Sequence, residues 1–171
     1  MALLHPATVD DLLNYRLSCL LDASGAMVTR LCEGRYGITR REWRLIALLA
    51  AHGAMSPSTL AERAHLARGR TSRHITELVL KGLLRKLPVA GDGRRALVEL
   101  TPKGAALYGE LFPQSAHLND QVLAVLDAQE LAMFQRALDK LTEAAERIAA
   151  TRPVDAKADR RHGGARRRNL S

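Results

Sequence analysis

The sequence predicts a mainly α-helical protein that carries one small β-hairpin. Hydrophobic residues make up 47% of its 171 residues, yet it contains only one Trp, three Tyr and two Phe. A core built from Leu, Ala, Val and Ile suits packed helices better than a β-sandwich. Apolar residues also recur at helical spacing along most of the chain, and the length fits a single folded unit.

A long first helix is predicted after Thr8, whose hydroxyl caps it, while Asp10 and Asp11 favour the positive end of its dipole. Gly34 and Gly37 mark its end. An apolar stripe at helical spacing predicts that this helix faces a partner. The stripe consists of Leu13, Leu17, Leu20, Leu21, Ser24, Val28 and Leu31.

Two shorter helices follow. Thr39 and Glu42 form a capping box for a second helix over residues 40 to about 52, which is apolar on most sides and therefore predicted to be buried. Ser56 followed by Pro57 is typical of a helix start and opens a short third helix. Its inward residues are Leu60, Ala61 and Ala64.

A turn near His65 and Leu66 leads to a fourth helix that ends near Gly82. Two compact helices joined by a tight turn are typical of the helix-turn-helix motif. The inward stripe of the fourth helix contains Ile75, Leu78, Val79 and Leu83. Its other faces carry Arg70, Arg73, His74, Glu77 and Lys81, which leaves a mainly basic surface for something anionic.

Residues 83–87 and 94–100 are predicted to form two strands around a Gly-Asp-Gly turn at 91–93. Thr101 and Pro102 open a fifth helix to about Leu126, which Pro113 is expected to kink or split. A last helix starts at the capping box of Asp127 and Glu130. Its coiled-coil-like seam, which should meet another helix, contains Leu131, Phe134, Leu138, Leu141, Ala145 and Ile148.

Two motifs carry a family resemblance. The segment LAERAHLARGRTSRHITELVLKGLLRK, residues 60–86, is similar to the helix-turn-helix of the MarR family, and GDGRRALVELTPKG, residues 91–104, is similar to its β-hairpin wing. The resemblance implies a homodimeric winged helix-turn-helix protein that binds a pseudo-palindromic operator in double-stranded DNA and regulates transcription, most simply as a repressor. It implies neither an enzyme nor a cofactor.

Charge is distributed in keeping with this function. Residues 38–103 carry 13 basic and 5 acidic side chains, and residues 151–171 carry 7 and 2. Residues 1–37 and 104–150 are slightly acidic. We therefore expect an N-terminal dimerisation helix (1–37), a winged helix-turn-helix DNA-binding region (38–103), C-terminal dimerisation helices (104–150) and a basic disordered tail (151–171).

The resemblance assigns DNA contacts to two elements. On the fourth helix, Arg73 is similar to the family's base-contacting Arg; in the wing, Asp92 is expected to orient Arg94 into the minor groove. Gly93 stands where many members have a second basic residue, so Arg95 is expected to supply some affinity. The predicted DNA-contacting residues are Arg68, Arg70, Thr71, Ser72, Arg73, His74, Asp92, Arg94 and Arg95.

The resemblance also implies a ligand cleft between the first two helices and the fifth, which in this family holds small aromatic acids. An aromatic carboxylate or phenolic effector is therefore expected to lower DNA affinity, with an Arg pairing the carboxylate. The candidate ligand residues are Tyr15, Arg16, Asp22, Trp43, Arg44 and His52.

Three alternatives stay open. The first is a thiol-based redox-sensing regulator that acts through Cys19, because some family members sense peroxides through a Cys in the first helix. Aligned with those members, however, this sequence has Ser18, not Cys19, at the reactive position. A winged helix that binds an acidic protein partner is the second alternative, and simple packing of the candidate ligand residues is the third. The histidines show no paired spacing for a metal, and no hydrolase or phosphate-loop motif is present.

A cytoplasmic location is expected, because the N-terminal residues lack the pattern of a signal peptide. The longest uncharged stretch, residues 45–61, is interrupted by His, Gly, Ser and Pro and does not predict a membrane span.

Overall fold

The structure, a computed structural model, describes residues 3–89 and 92–151. Within them lie α1 (Leu13–Arg30), α2 (Arg40–His52), α3 (Pro57–Arg63), α4 (Arg68–Leu80), α5 (Pro102–Leu123) and α6 (Ala128–Ala150). Strands β1 (Leu84–Val89) and β2 (Asp92–Leu100) form an antiparallel hairpin. The predicted fold class, mainly helical with a small hairpin, is confirmed. The predicted tail lies outside the described residues.

Helix boundaries follow the capping residues at four of the predicted starts. Thr39, Ser56, Thr101 and Asp127 each accept a backbone N–H of the helix that they open. Thr8 differs: it caps only a 3₁₀ turn, Val9–Asp11, and α1 begins at Leu13. The α1 helix then continues through a π-helical turn, Leu31–Arg35.

Pro113 does not split α5, which continues as one helix to Leu123. Helix α5 begins close to the end of α4, and Gly104 makes that approach possible. A Cβ atom at Gly104 would lie 2.1 Å from the carbonyl oxygen of Leu83. Any larger side chain there would force α5 away from the turn between α4 and β1.

The core joins α2, α3, α4 and the base of the hairpin. Met55, between α2 and α3, exchanges two backbone hydrogen bonds with Val98 of β2, at 3.1 and 2.8 Å. This pairing fixes the hairpin against the helices. The largest fully buried side chains are Ile38, Leu45, Ile46, Leu60, Thr71, Ile75, Leu78, Leu84, Val98, Leu111 and Cys32.

The chain divides after Ala124 into two compact units. The expectation that it forms a single folded unit is therefore wrong. The second unit contains α6, in which no described residue is buried. Its seam residues Phe134 and Leu138 are each 37% exposed. On α1, the stripe residues Leu13, Leu17, Leu20 and Leu21 are likewise exposed. Such apolar surfaces mark sites of association.

Candidate DNA interface and ligand cavity

The α4 helix presents a basic face to solvent. Arg68, Arg70 and Arg73 are exposed, as is Ser72, and His74 is half-buried. None of the three arginines forms a salt bridge with another described residue. Because α4 buries Ile75 and Leu78 on its opposite side, these arginines are held on the outward side of a fixed helix. Unpaired guanidinium groups in that position can bind phosphates or the edges of bases.

Thr71 does not belong to this face, which corrects the prediction that it contacts DNA. It is fully buried, and its hydroxyl donates to the carbonyl oxygen of Ala67 at 3.3 Å. The reason is its register: Thr71 lies four residues before Ile75 and therefore shares the inward stripe of α4. This spacing of four residues between Thr71 and Ile75 is visible in the sequence.

The hairpin places the predicted wing residues on β2, which pairs with β1 from Leu84 opposite Leu100 to Pro88 opposite Ala96. The side chains of Asp92, Arg94 and Arg95 lie outside the described part of the structure, so their contacts with DNA stay a prediction. Near the base of the hairpin, Arg85 forms a salt bridge with Glu99.

A polar junction lies at the C-terminal end of α4. The Nζ atom of Lys81 donates to both carboxylate oxygens of Glu42 at 3.0 Å and to the carbonyl oxygen of Gly37 at 3.0 Å. Glu42 is 2% exposed and also accepts the Thr39 N–H. The sequence identified Glu42 only as a capping residue, because a second partner 39 residues away leaves no local signal.

The same end of α4 is attached to the start of α5. Lys103 donates through Nζ to the carbonyl oxygen of Lys81 at 2.9 Å, and the Thr101 hydroxyl donates to that of Gly82 at 2.7 Å. The two residues that directly follow α4, Lys81 and Gly82, are thus hydrogen-bonded to α2 and to the start of α5.

A cavity of about 260 Å³ lies between α1 and α5, with Arg40 of α2 at its wall. The guanidinium packs so closely on Gly25 that a Cβ atom there would lie 2.1 Å from Nη1. Arg40 has no salt bridge among the described residues. The buried hydroxyl of Ser115 has no hydrogen-bond partner among the residues that the structure describes. The lining is Leu20, Ser24, Gly25, Val28, Arg40, Ser115, Leu118, Asn119, Val122 and Leu123.

The six predicted ligand residues do not meet in this cavity. Tyr15 and Arg16 are exposed on α1, and His52 is exposed at the last residue of α2. Trp43 is a buried core residue whose ring stacks on Tyr108 at 5.7 Å. None of these four residues lines the cavity, and their contacts with a ligand stay a prediction.

Asp22 and Arg44 line a different cleft, of about 510 Å³, beside Glu33, Arg40 and Arg41. Arg44 there donates to the carbonyl oxygen of Ala64 at 3.0 Å. The residues that the sequence missed, Arg40, Ser115 and Asn119, come from two helices distant along the chain, and no spacing rule could have grouped them.

The two cysteines differ in environment. Cys19 is exposed, and its side-chain interaction with Tyr15 raises the pKa of the tyrosine hydroxyl. Cys32 is buried, and burial raises the pKa of its own thiol. No group of three His, Cys, Asp or Glu side chains suited to a metal occurs among the described residues. No helix in that part of the chain is long and apolar enough to span a membrane.

Comparison with known proteins agrees with the fold. A family model described as MarR family matches residues 36–95. The HTH-type transcriptional regulator FarR of Neisseria gonorrhoeae is 29% identical over 126 residues, which cover 72% of this chain and 86% of FarR. The homoprotocatechuate degradative operon repressor of Escherichia coli is 27% identical over 106 residues, 62% of this chain and 72% of that protein.

Among solved structures, NadR in complex with 4-hydroxyphenylacetate matches with a TM-score of 0.65 and 28% identity, over 76% of this chain and 92% of NadR. The matched model includes the helix-turn-helix and most of the hairpin, and the FarR match extends over 72% of the chain. Residues 36–95 therefore match the MarR family, and the chain is similar over most of its length to winged helix-turn-helix transcriptional regulators.

Proposed function

We propose that this protein is a repressor that binds a pseudo-palindromic DNA operator as a homodimer and releases it when a small aromatic acid binds. The observation that carries the DNA-binding part is the exposed face of α4, where three arginines lack acidic partners among the described residues. Arg70 and Arg73 are three residues apart and share one side of the helix. The excess of basic over acidic residues between 38 and 103 adds attraction for phosphates.

The direct test is selection of bound fragments from neighbouring genomic DNA, followed by binding isotherms over a salt series. Affinity for the selected duplex should fall steeply as salt rises, because phosphate contacts release counterions. The footprint should contain two half-sites about 10 bp apart. If the protein retards no duplex and instead captures acidic polypeptides, it is a winged-helix assembly module and not a repressor.

The ligand part depends on the cavity beside Arg40. Within the described part of the chain, the Arg40 guanidinium has no acidic partner and suits a carboxylate, and the Ser115 hydroxyl has no partner and suits a second polar group. The apolar part of the lining, Leu20, Leu118 and Val122, suits a ring. Drug-sized ligands usually occupy about 300–1,000 Å³, so this smaller cavity fits a single-ring acid. The relative NadR, solved with 4-hydroxyphenylacetate, is consistent with that class.

We expect benzoate, salicylate or 4-hydroxyphenylacetate at millimolar concentration to weaken operator binding by about 1–3 kcal/mol, an ordinary coupling free energy. Arg40→Met should remove most of this response while DNA binding without ligand persists. Arg30→Met is the matched control, because Arg30 is exposed on α1 outside the cavity lining. A panel with no effect on the wild-type protein would exclude this ligand class.

A further inference from the structure

The helices that line the cavity also contact the C-terminal end of α4, the helix proposed to bind DNA. Arg40 of α2 and Ser115 of α5 are cavity residues. Glu42, also of α2, and Lys103, also of α5, bind Lys81 at the C-terminal end of α4. A change in the cavity can therefore reach α4 through side-chain contacts.

The shortest connection passes through the first turn of α2. Arg40 packs on Gly25, and Glu42, two residues later, holds the Lys81 ammonium with both oxygens. Because Glu42 is buried and its carboxylate also caps α2, it cannot move without the first turn of that helix. Separating a buried carboxylate from its cation is strongly unfavourable, so Lys81 should follow Glu42.

We propose that the Glu42–Lys81 contact is the link through which the position of Arg40 in the cavity sets the position of α4. This inference rests on the proposed function, since it describes how an occupied cavity would be communicated to the DNA-binding helix. Glu42 and Lys81 are positioning residues: neither lines the cavity, and both act through the helices that they join.

The test uses a substitution that moves Arg40 without any ligand. Gly25→Ala should push the guanidinium out of its place, because the added carbon would overlap Nη1, while alanine favours the helix. The readout is hydrogen–deuterium exchange of the α4 amides in the full-length protein without DNA. Four proteins form a double-mutant cycle: wild type, Gly25→Ala, Lys81→Met and the pair.

We expect Gly25→Ala to change exchange in the last turns of α4 by about fivefold in the wild-type background, the lower end of ordinary coupling. In the Lys81→Met background its effect should fall below about twofold. Glu42→Gln should likewise reduce the effect of Gly25→Ala on exchange in α4, although its amide oxygen can still accept the Thr39 N–H. Lys86→Met, at an exposed lysine of β1, should leave the coupling intact.

An equal effect of Gly25→Ala in both backgrounds would overturn the proposal, as would no effect on α4 in the wild-type background. Neither result depends on an operator or an effector. Failure of this link is therefore distinguishable from failure of the proposed DNA binding or ligand response, which the isotherms measure separately.

Discussion

At the scale of single residues, burial separates side chains with similar sequence signals. Thr71 and Ser72 are adjacent polar residues of α4, but one is buried in the core and the other is exposed beside the arginines. Both were predicted to contact DNA; burial excludes the Thr71 side chain, and the contact of Ser72 stays a prediction. Functional assignment on a helix thus requires its register as well as its composition.

The two DNA-binding elements should differ in what they recognise. Arg73→Ala should cost about 1–3 kcal/mol on the operator and much less on random DNA, because an Arg in the major groove can bind guanine with both arms. Arg94→Ala should weaken both DNAs by similar factors and reduce the salt slope by about one unit, because the minor-groove code is degenerate. Isotherms of both variants on both DNAs measure this, and equal losses of specificity would refute it.

The thiols should differ in reactivity. With burial raising the pKa of Cys32, its reactive thiolate is disfavoured at pH 8 in the native protein. A Cys19→Ser variant should therefore react with DTNB only as fast as it unfolds, and should react at once in guanidinium. Rapid modification of this variant under native conditions would show that Cys32 is accessible.

At the scale of elements, sequence predicts helix starts better than it predicts shared sites. Thr39, Ser56, Thr101 and Asp127 act within four residues of themselves, so local pattern suffices. The cavity assembles residues of α1, α2 and α5, and the junction at Lys81 joins three elements. Their geometry depends on packing that no local pattern contains.

Packing of α4 should dominate the stability of the helix-turn-helix. Leu78→Ala should lower the free energy of unfolding by about 2–5 kcal/mol, because it leaves a cavity in a fully buried site. Leu80→Ala is the matched control: Leu80 lies on the same helix but is 77% exposed, and its loss should change stability by no more than about 0.5 kcal/mol. Denaturant titrations at one protein concentration compare them, and similar losses would contradict the core assignment.

At the scale of the whole molecule, exposed apolar stripes predict a homodimer held by α1, α5 and α6. Leu138→Glu places a charge on the α6 seam and should shift the protein toward monomer in light scattering at micromolar concentration. Gln129→Glu, the same new charge on the opposite side of α6, should leave the dimer intact. A wild-type protein that is monomeric under these conditions would exclude the dimer.

Pro113 gives α5 an uneven stiffness along its length. Proline has no amide hydrogen, so the helical bond to the carbonyl of Gly109 is missing. Before this position α5 and its N-cap are hydrogen-bonded to the residues that directly follow α4, through Thr101 and Lys103; after it, Ser115 lines the cavity. Because one helical hydrogen bond is missing there, we expect bending of α5 to be easiest at Pro113, between the part that lines the cavity and the part that contacts the end of α4.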